Sequence, residues 1–140
     1  MSSTDPTTSR RSGCPISIAL EMLGDTWSLL VVRDLMFKGK QTYKDFLQGG
    51  EGIATNILAD RLRKLEAVGI VEKRADPSDA RRSIYRLSAK GIDLAPVMVE
   101  LVLWSARNEA TDAPAPVLRA MRGDRDAFIA GVRERWRTAL

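Results

Sequence analysis

At 140 residues, 44% of them hydrophobic and 29% charged, the chain is sized for one folded domain with modest extensions, and it has neither an apolar run approaching the roughly 18 residues of a membrane span nor a secretory signal after Arg10 and Arg11. Histidine is absent and Cys14 is the single cysteine, which excludes a disulfide framework and a structural zinc site and leaves an enzyme built on a Cys14 nucleophile without a histidine base. The net charge is +4, no metal or cofactor is expected, and the expected compartment is the reducing cytoplasm.

Residues 1–13 are Ser/Thr-rich without apolar periodicity and read as a flexible arm. Pro15 suits the first turn of a helix, and Ile16, Ala19, Leu20 and Leu23 follow at helical spacing until Gly24 stops the run. Asp25 or Thr26 is placed to cap a second helix, with Trp27, Leu30, Val31, Leu35 and Phe37 as its apolar residues. Gln41 to Gln48 predicts a short third helix, in which Thr42 and Asp45 have capping-box spacing. After a glycine turn, residues 53–68 predict a fourth helix that Gly69 ends. Leu58, Leu62 and Leu65 form its core stripe. The opposite face carries Asn56, Asp60, Arg63 and Ala67, flanked by Ala59 and Lys64, with Thr55 in the first turn.

Residues 70–74 and 82–87 predict a hairpin around the turn Asp76-Pro77-Ser78-Asp79. Ile84 and Leu87 are three apart, so a bulge or an early strand end is expected. Ser88 then caps a long helix to about Asn108, kinked or delayed at Pro96, with Leu94, Val97, Met98, Leu101 and Trp104 on its apolar face. Residues 111–116 read as a linker, and about 125–137 as a last amphipathic helix carrying Phe128, Ile129, Val132 and Trp136. The fold class is mainly α with a small β-hairpin: a winged helix-turn-helix with extra N- and C-terminal dimerisation helices. It divides into the arm (1–13), a DNA-binding and dimerisation domain (14–108), and a linker with a helical extension (109–140).

The surplus charge is confined to one segment. Residues 53–90 hold nine basic side chains against five acidic ones, while the stretches before and after are each neutral. A surplus focused on one helix and its neighbouring hairpin suits an extended polyanion. The candidate DNA-binding residues are Thr55, Asn56, Ala59, Asp60, Arg61, Arg63 and Lys64 on the helix, and Arg74, Arg81 and Arg82 on the hairpin, with Arg86 nearby. Asn56 is suited to an adenine edge and Arg63 to a guanine edge; Asp60 either accepts from cytosine or orients Lys64 or Arg63. Hairpin arginines suit phosphates or the minor groove. The alternative is a winged-helix scaffold module that does not bind DNA.

The sequence resembles the HxlR family of bacterial regulators, within the wider MarR-like winged-helix group. The matching pieces are Cys14-Pro15, the run from Gly24 to Leu35, Gly52-Ile53, Leu58, Arg61-Leu62, Leu65, Gly69-Ile70-Val71, Tyr85-Arg86-Leu87-Ser88 and Lys90-Gly91, covering about residues 13–106 in register. Ala54 departs from a common serine, and residues 107–140 extend past the usual family length. The resemblance implies a homodimer held by the first and last helices of the core, acting as a regulator (a repressor is the expectation) on a palindromic operator in double-stranded DNA. It also implies that an electrophile, oxidant or small aromatic effector is sensed. The pattern of the wing suggests Arg81 as the minor-groove arginine, oriented by Asp79.

Cys14 occupies the position of the family's sensor thiol. A thiol at a helix N-terminus is stabilised as thiolate, yet an inert, part-buried small residue fits the sequence equally well. Trp27, Met98 and Trp104 are candidates to line an effector pocket, against the alternative of plain packing.

Overall fold

A computed structural model describes residues 10–139; most of the expected arm therefore lies outside the described residues. The element order is α1 (Pro15–Leu23), α2 (Ser28–Phe37), α3 (Tyr43–Leu47), α4 (Thr55–Ala67), β1 (Val71–Asp76), β2 (Asp79–Leu87), α5 (Ala89–Ile92), α6 (Ala95–Asn108), α7 (Ala115–Gly123) and α8 (Arg125–Thr138). The chain is thus mainly helical, with one antiparallel hairpin after the fourth helix, as in a winged helix-turn-helix.

Local chemistry sets the boundaries. Asp25 Oδ1 accepts from the backbone N–H of Trp27 at 2.8 Å and of Ser28 at 2.9 Å, closing the start of α2. Thr42 and Asp45 form the reciprocal capping box of α3. Gly69 ends α4 at φ +82°, a backbone state that side chains disfavour. Leu58, Leu62 and Leu65 are buried, and they meet Val31, Val32, Phe46, Ile70, Leu87 and Val99 in one core.

The hairpin is longer than expected. β1 runs to Asp76 and β2 begins at Asp79, with Val71 opposite Leu87 and Lys73 opposite Tyr85. Its irregularity falls at Ala75/Asp76, beside the tip, rather than near Ile84. Ile84 and Tyr85 are both buried, so both faces are covered at the strand's base and simple alternation fails there. Tyr85 packs edge-on against Phe46, ring centroids 6.0 Å apart, and its N–H donates to the Gln41 carbonyl at 2.8 Å.

Two other expectations need correction. The long helix after Ser88 is two helices: Ser88 Oγ accepts from the Gly91 N–H to cap α5, and Pro96 sits in the first turn of a separate α6. The stretch read as a linker feeds α7, because Pro116 lies in that helix's first turn, where a missing N–H costs nothing. The stripe of α1 divides: Leu23 packs against the core, while Ile16 is 71% and Leu20 61% exposed. The C-terminal helices share the main core through Met121, Ile129 and Val132, and α8 packs against α6, α7 and α2. Among the described residues no single helix is long and apolar enough to cross a membrane.

Candidate nucleic-acid interface

The geometry begins at the junction of α3 and α4. The Tyr43 hydroxyl donates to the Thr55 carbonyl, fixing α3 against the first turn of α4. Thr55 and Asn56 are exposed there, and Ala54 supplies no side-chain cap, so the first-turn N–H groups have no competitor from that residue. With the leucine stripe inward, Arg63 and Lys64 project from the other side, their side chains 71% and 66% exposed. Asp60 lies between them, 3.7 Å from Arg63 and 3.3 Å from Lys64. Partial desolvation pushes its carboxyl up, but the Lys64 hydrogen bond and the charges of Lys64, Arg61 and Arg63 outweigh that and hold it below the usual carboxylate range. Ala59 is half-buried on the flank of this face.

Arg61 is placed differently from its neighbours. Its Nε donates to Asp25 Oδ1 at 2.9 Å, and it also pairs with Asp60. Desolvation pushes the Asp25 carboxyl up, yet Ser28, the N–H groups of Trp27 and Ser28, and Arg61 together bring it down to about 2. Arg61 therefore ties α4 to the start of α2, and its guanidinium is already committed. Lys64 lies on the same flank and lines a cavity with Leu20, Asp25 and Arg61.

On the hairpin Arg81 is 92% exposed, and Asp79 Oδ1 accepts from its N–H at 3.1 Å and its Nε at 3.2 Å. Those bonds from Arg81 hold the Asp79 carboxyl below its ordinary range. Arg82 grips Asp76 Oδ2 through Nε at 3.0 Å and Nη2 at 2.8 Å. The backbone N–H and hydroxyl of Ser78, together with Arg82, bring Asp76 down to about 2. Arg74 is exposed opposite Ile84. Arg86 has left this surface: its guanidinium lies 4.4 Å from the Trp136 ring centroid, and Nη2 donates to the Trp136 carbonyl at 2.7 Å.

A cleft of about 710 Å³ lies between α3 and the hairpin, lined by Thr42, Tyr43, Lys44, Asp45, Arg81, Arg82, Ser83 and Tyr85. Lys44 was missed in the sequence reading. Its available signal was its place in a capped helix immediately before the recognition helix.

Cys14 is exposed at the N-cap of α1. The three candidate pocket residues are not brought together within the chain. Trp27 lines a small cavity with Leu30, Phe46 and Leu58; Met98 is in the core; and Trp104, 58% exposed, lines an open groove with Val97 and Leu101.

The arrangement has known counterparts. Residues 22–113 match the model of the HxlR-like helix-turn-helix family. The chain belongs to the HxlR-like helix-turn-helix family. Within it, the chain is 36% identical over 88 residues to the uncharacterized HTH-type transcriptional regulator sll1512 of Synechocystis sp., covering 63% of this chain and 64% of that protein. It is 33% identical over 93 residues to the HTH-type transcriptional regulator YodB of Bacillus subtilis, covering 66% and 82%. The match spans less than two thirds of sll1512 and 59% of the length of the mycobacterial relative Mb3122. Among solved structures, reduced YodB superposes with a TM-score of 0.58 at 31% identity, covering 69% of this chain and 95% of YodB. The redox regulator HypR in its oxidized form gives 0.62 at 26% identity, covering 70% and 100%. The HxlR-like match stops at residue 113, so α7 and α8 lie beyond it.

Proposed function

We propose that this HxlR-like protein is a DNA-binding transcriptional regulator that acts as a homodimer and represses from a palindromic operator. The observation that carries the reading is the cleft shared by α3 and the hairpin, which gathers Lys44, Arg81 and Arg82 and whose Tyr43 is bonded to the exposed start of α4. The whole net charge of the chain is concentrated in this helix and hairpin. The N-terminal half of α4 enters the major groove, its 13 residues spanning roughly 20 Å. Asn56 and Arg63 read base edges, and Thr55 meets a phosphate or a thymine methyl. Ala59 gives the helix a close approach, and Asp60 orients Arg63 and Lys64. Lys44, Arg74, Arg81 and Arg82 contact phosphates or the minor groove. Arg61 serves as a positioning residue.

The exposed apolar residues support the dimer: Ile16 and Leu20 of α1, and Val97, Leu101 and Trp104 of α6, stand 42–71% exposed among the described residues. A second copy covers them, by two-fold pairing of α1 and α6. Cys14, two residues before Ile16, is exposed at the N-cap of the same helix. YodB has been solved in reduced, diamide-treated and quinone-bound forms, and HypR in oxidized and reduced forms. We therefore assign Cys14 the role of a thiol sensor for oxidants or electrophiles, and the cytoplasm as the place of action.

Selection of bound duplexes from a random pool, followed by footprinting, tests the reading. The expected result is an enriched palindrome with half-sites one helical turn apart, or a multiple of it. Cys14→Ser should keep that footprint and lose its response to diamide or quinone. A pool without enrichment returns the chain to the scaffold reading, and an oxidant response that persists in Cys14→Ser removes the sensing role.

A further inference from the structure

We propose that the C-terminal helix α8 closes a binding site for a small organic anion with an apolar body, on the back of the hairpin. The cavity measures about 400 Å³, within the range of roughly 300–1,000 Å³ typical of small-molecule sites. Its walls are of two kinds. Phe37, Tyr85 and Trp136 give it flat apolar surface, while Lys40, Arg86 and Arg135 give it positive charge; among the described residues no Asp or Glu side chain lines it. A carboxylate on an aromatic or aliphatic body fits that pairing, and a cation does not.

Arg86 supplies the second observation. Its Nη2 is satisfied by the Trp136 carbonyl, and its guanidinium stacks on the indole. Its Nε–H is buried and has no acceptor among the described residues. Nε itself is closed to a water-sized molecule, so what Arg86 offers the cavity it lines is the charge of its guanidinium, which pairs with no carboxylate among the described residues. The lid is held from the other side by the Trp136 indole N–H, which donates to the Leu87 carbonyl at 2.8 Å. Because α8 lies beyond the HxlR-like match, the site is a property of this chain's extension.

Occupancy is felt by the hairpin. Tyr85 lines both this cavity and the α3–β2 cleft, and its N–H is tied to Gln41, which lines the cavity too. A bound anion therefore bears on the strand that carries Arg81 and Arg82; this consequence rests on the DNA-binding reading, whereas the site itself does not.

The test is a titration of the full chain, without DNA, with 1-naphthoate as probe, followed by NMR at the Trp136 indole N–H. Saturable binding is expected, at least 10-fold tighter than that of the uncharged 1-naphthamide. Arg86→Gln should weaken it at least 10-fold and the exposed Arg135→Gln about 3-fold, with Arg119→Gln on α7 unchanged. Absence of saturable binding, equal binding of the amide, or full binding by a folded Arg86→Gln would overturn the site. If Arg86→Gln does not fold, unchanged binding by Arg135→Gln overturns it. Since no DNA is present, failure here leaves the operator reading standing, and a failed operator selection leaves this site standing.

Discussion

Asp25 joins two functions at one corner of the fold. It caps α2 and holds Arg61 of α4, and its carboxyl is brought down to about 2. Asp25→Ala removes the cap and leaves Arg61 paired with Asp60 alone, so unfolding in urea should show a loss of about 1–2 kcal/mol. The pH dependence has a definite sign. Folding lowers this pKa, so the contribution is complete above the unfolded value near 4 and fades as pH falls through about 2. Wild-type stability should therefore fall across that window more steeply than that of Asp25→Ala; parallel curves would remove Asp25 from the account. The cap was legible in the sequence, since capping depends on residues two or three apart. The pairing with Arg61 was not, because its partner lies 36 positions away and only the packing of α4 on α2 brings the two together. Arg61 consequently looked like one more cation for DNA. Arg86 was equally opaque, its partner Trp136 being 50 positions away.

At the scale of elements, periodicity located α4 and its inward face because three leucines at helical spacing have no other economical burial. The same cue located α1, but periodicity alone does not say what its stripe meets: Leu23 packs against the core while Ile16 and Leu20 stay exposed. Proline accounts for the other differences: in α6 and α7 it sits in the first turn, where it starts a helix, whereas the sequence suggested one long helix kinked or delayed at Pro96 and a linker through Pro116. α8 was seen as a helix, but nothing in its own pattern revealed that Trp136 seats on β2. Trp136→Ala removes the indole bond to Leu87 and the platform under Arg86. It should cost about 2–4 kcal/mol and raise amide exchange across residues 125–138 before the rest of the chain. Uniform exchange throughout would mean that α8 is held by its other contacts.

The whole molecule presents two unlike surfaces. One is apolar, carried by the exposed Ile16 and Leu20 of α1 and Val97, Leu101 and Trp104 of α6, which the proposed dimer would pair. Leu20→Glu should turn a dimer into a monomer in sedimentation experiments while leaving the circular dichroism unchanged, since Leu20 is 61% exposed. A wild-type chain that is monomeric at micromolar concentration would remove the dimer. The other surface carries the cations of α4, α3 and the hairpin, and the proposed function depends on it. Salt dependence of binding to a selected duplex tests that claim most directly. For a dimer that neutralises about eight phosphates, log K should fall against log salt with a slope near −7, and Arg81→Ala in both subunits should bring it to roughly −5. A flat response to salt would contradict the account.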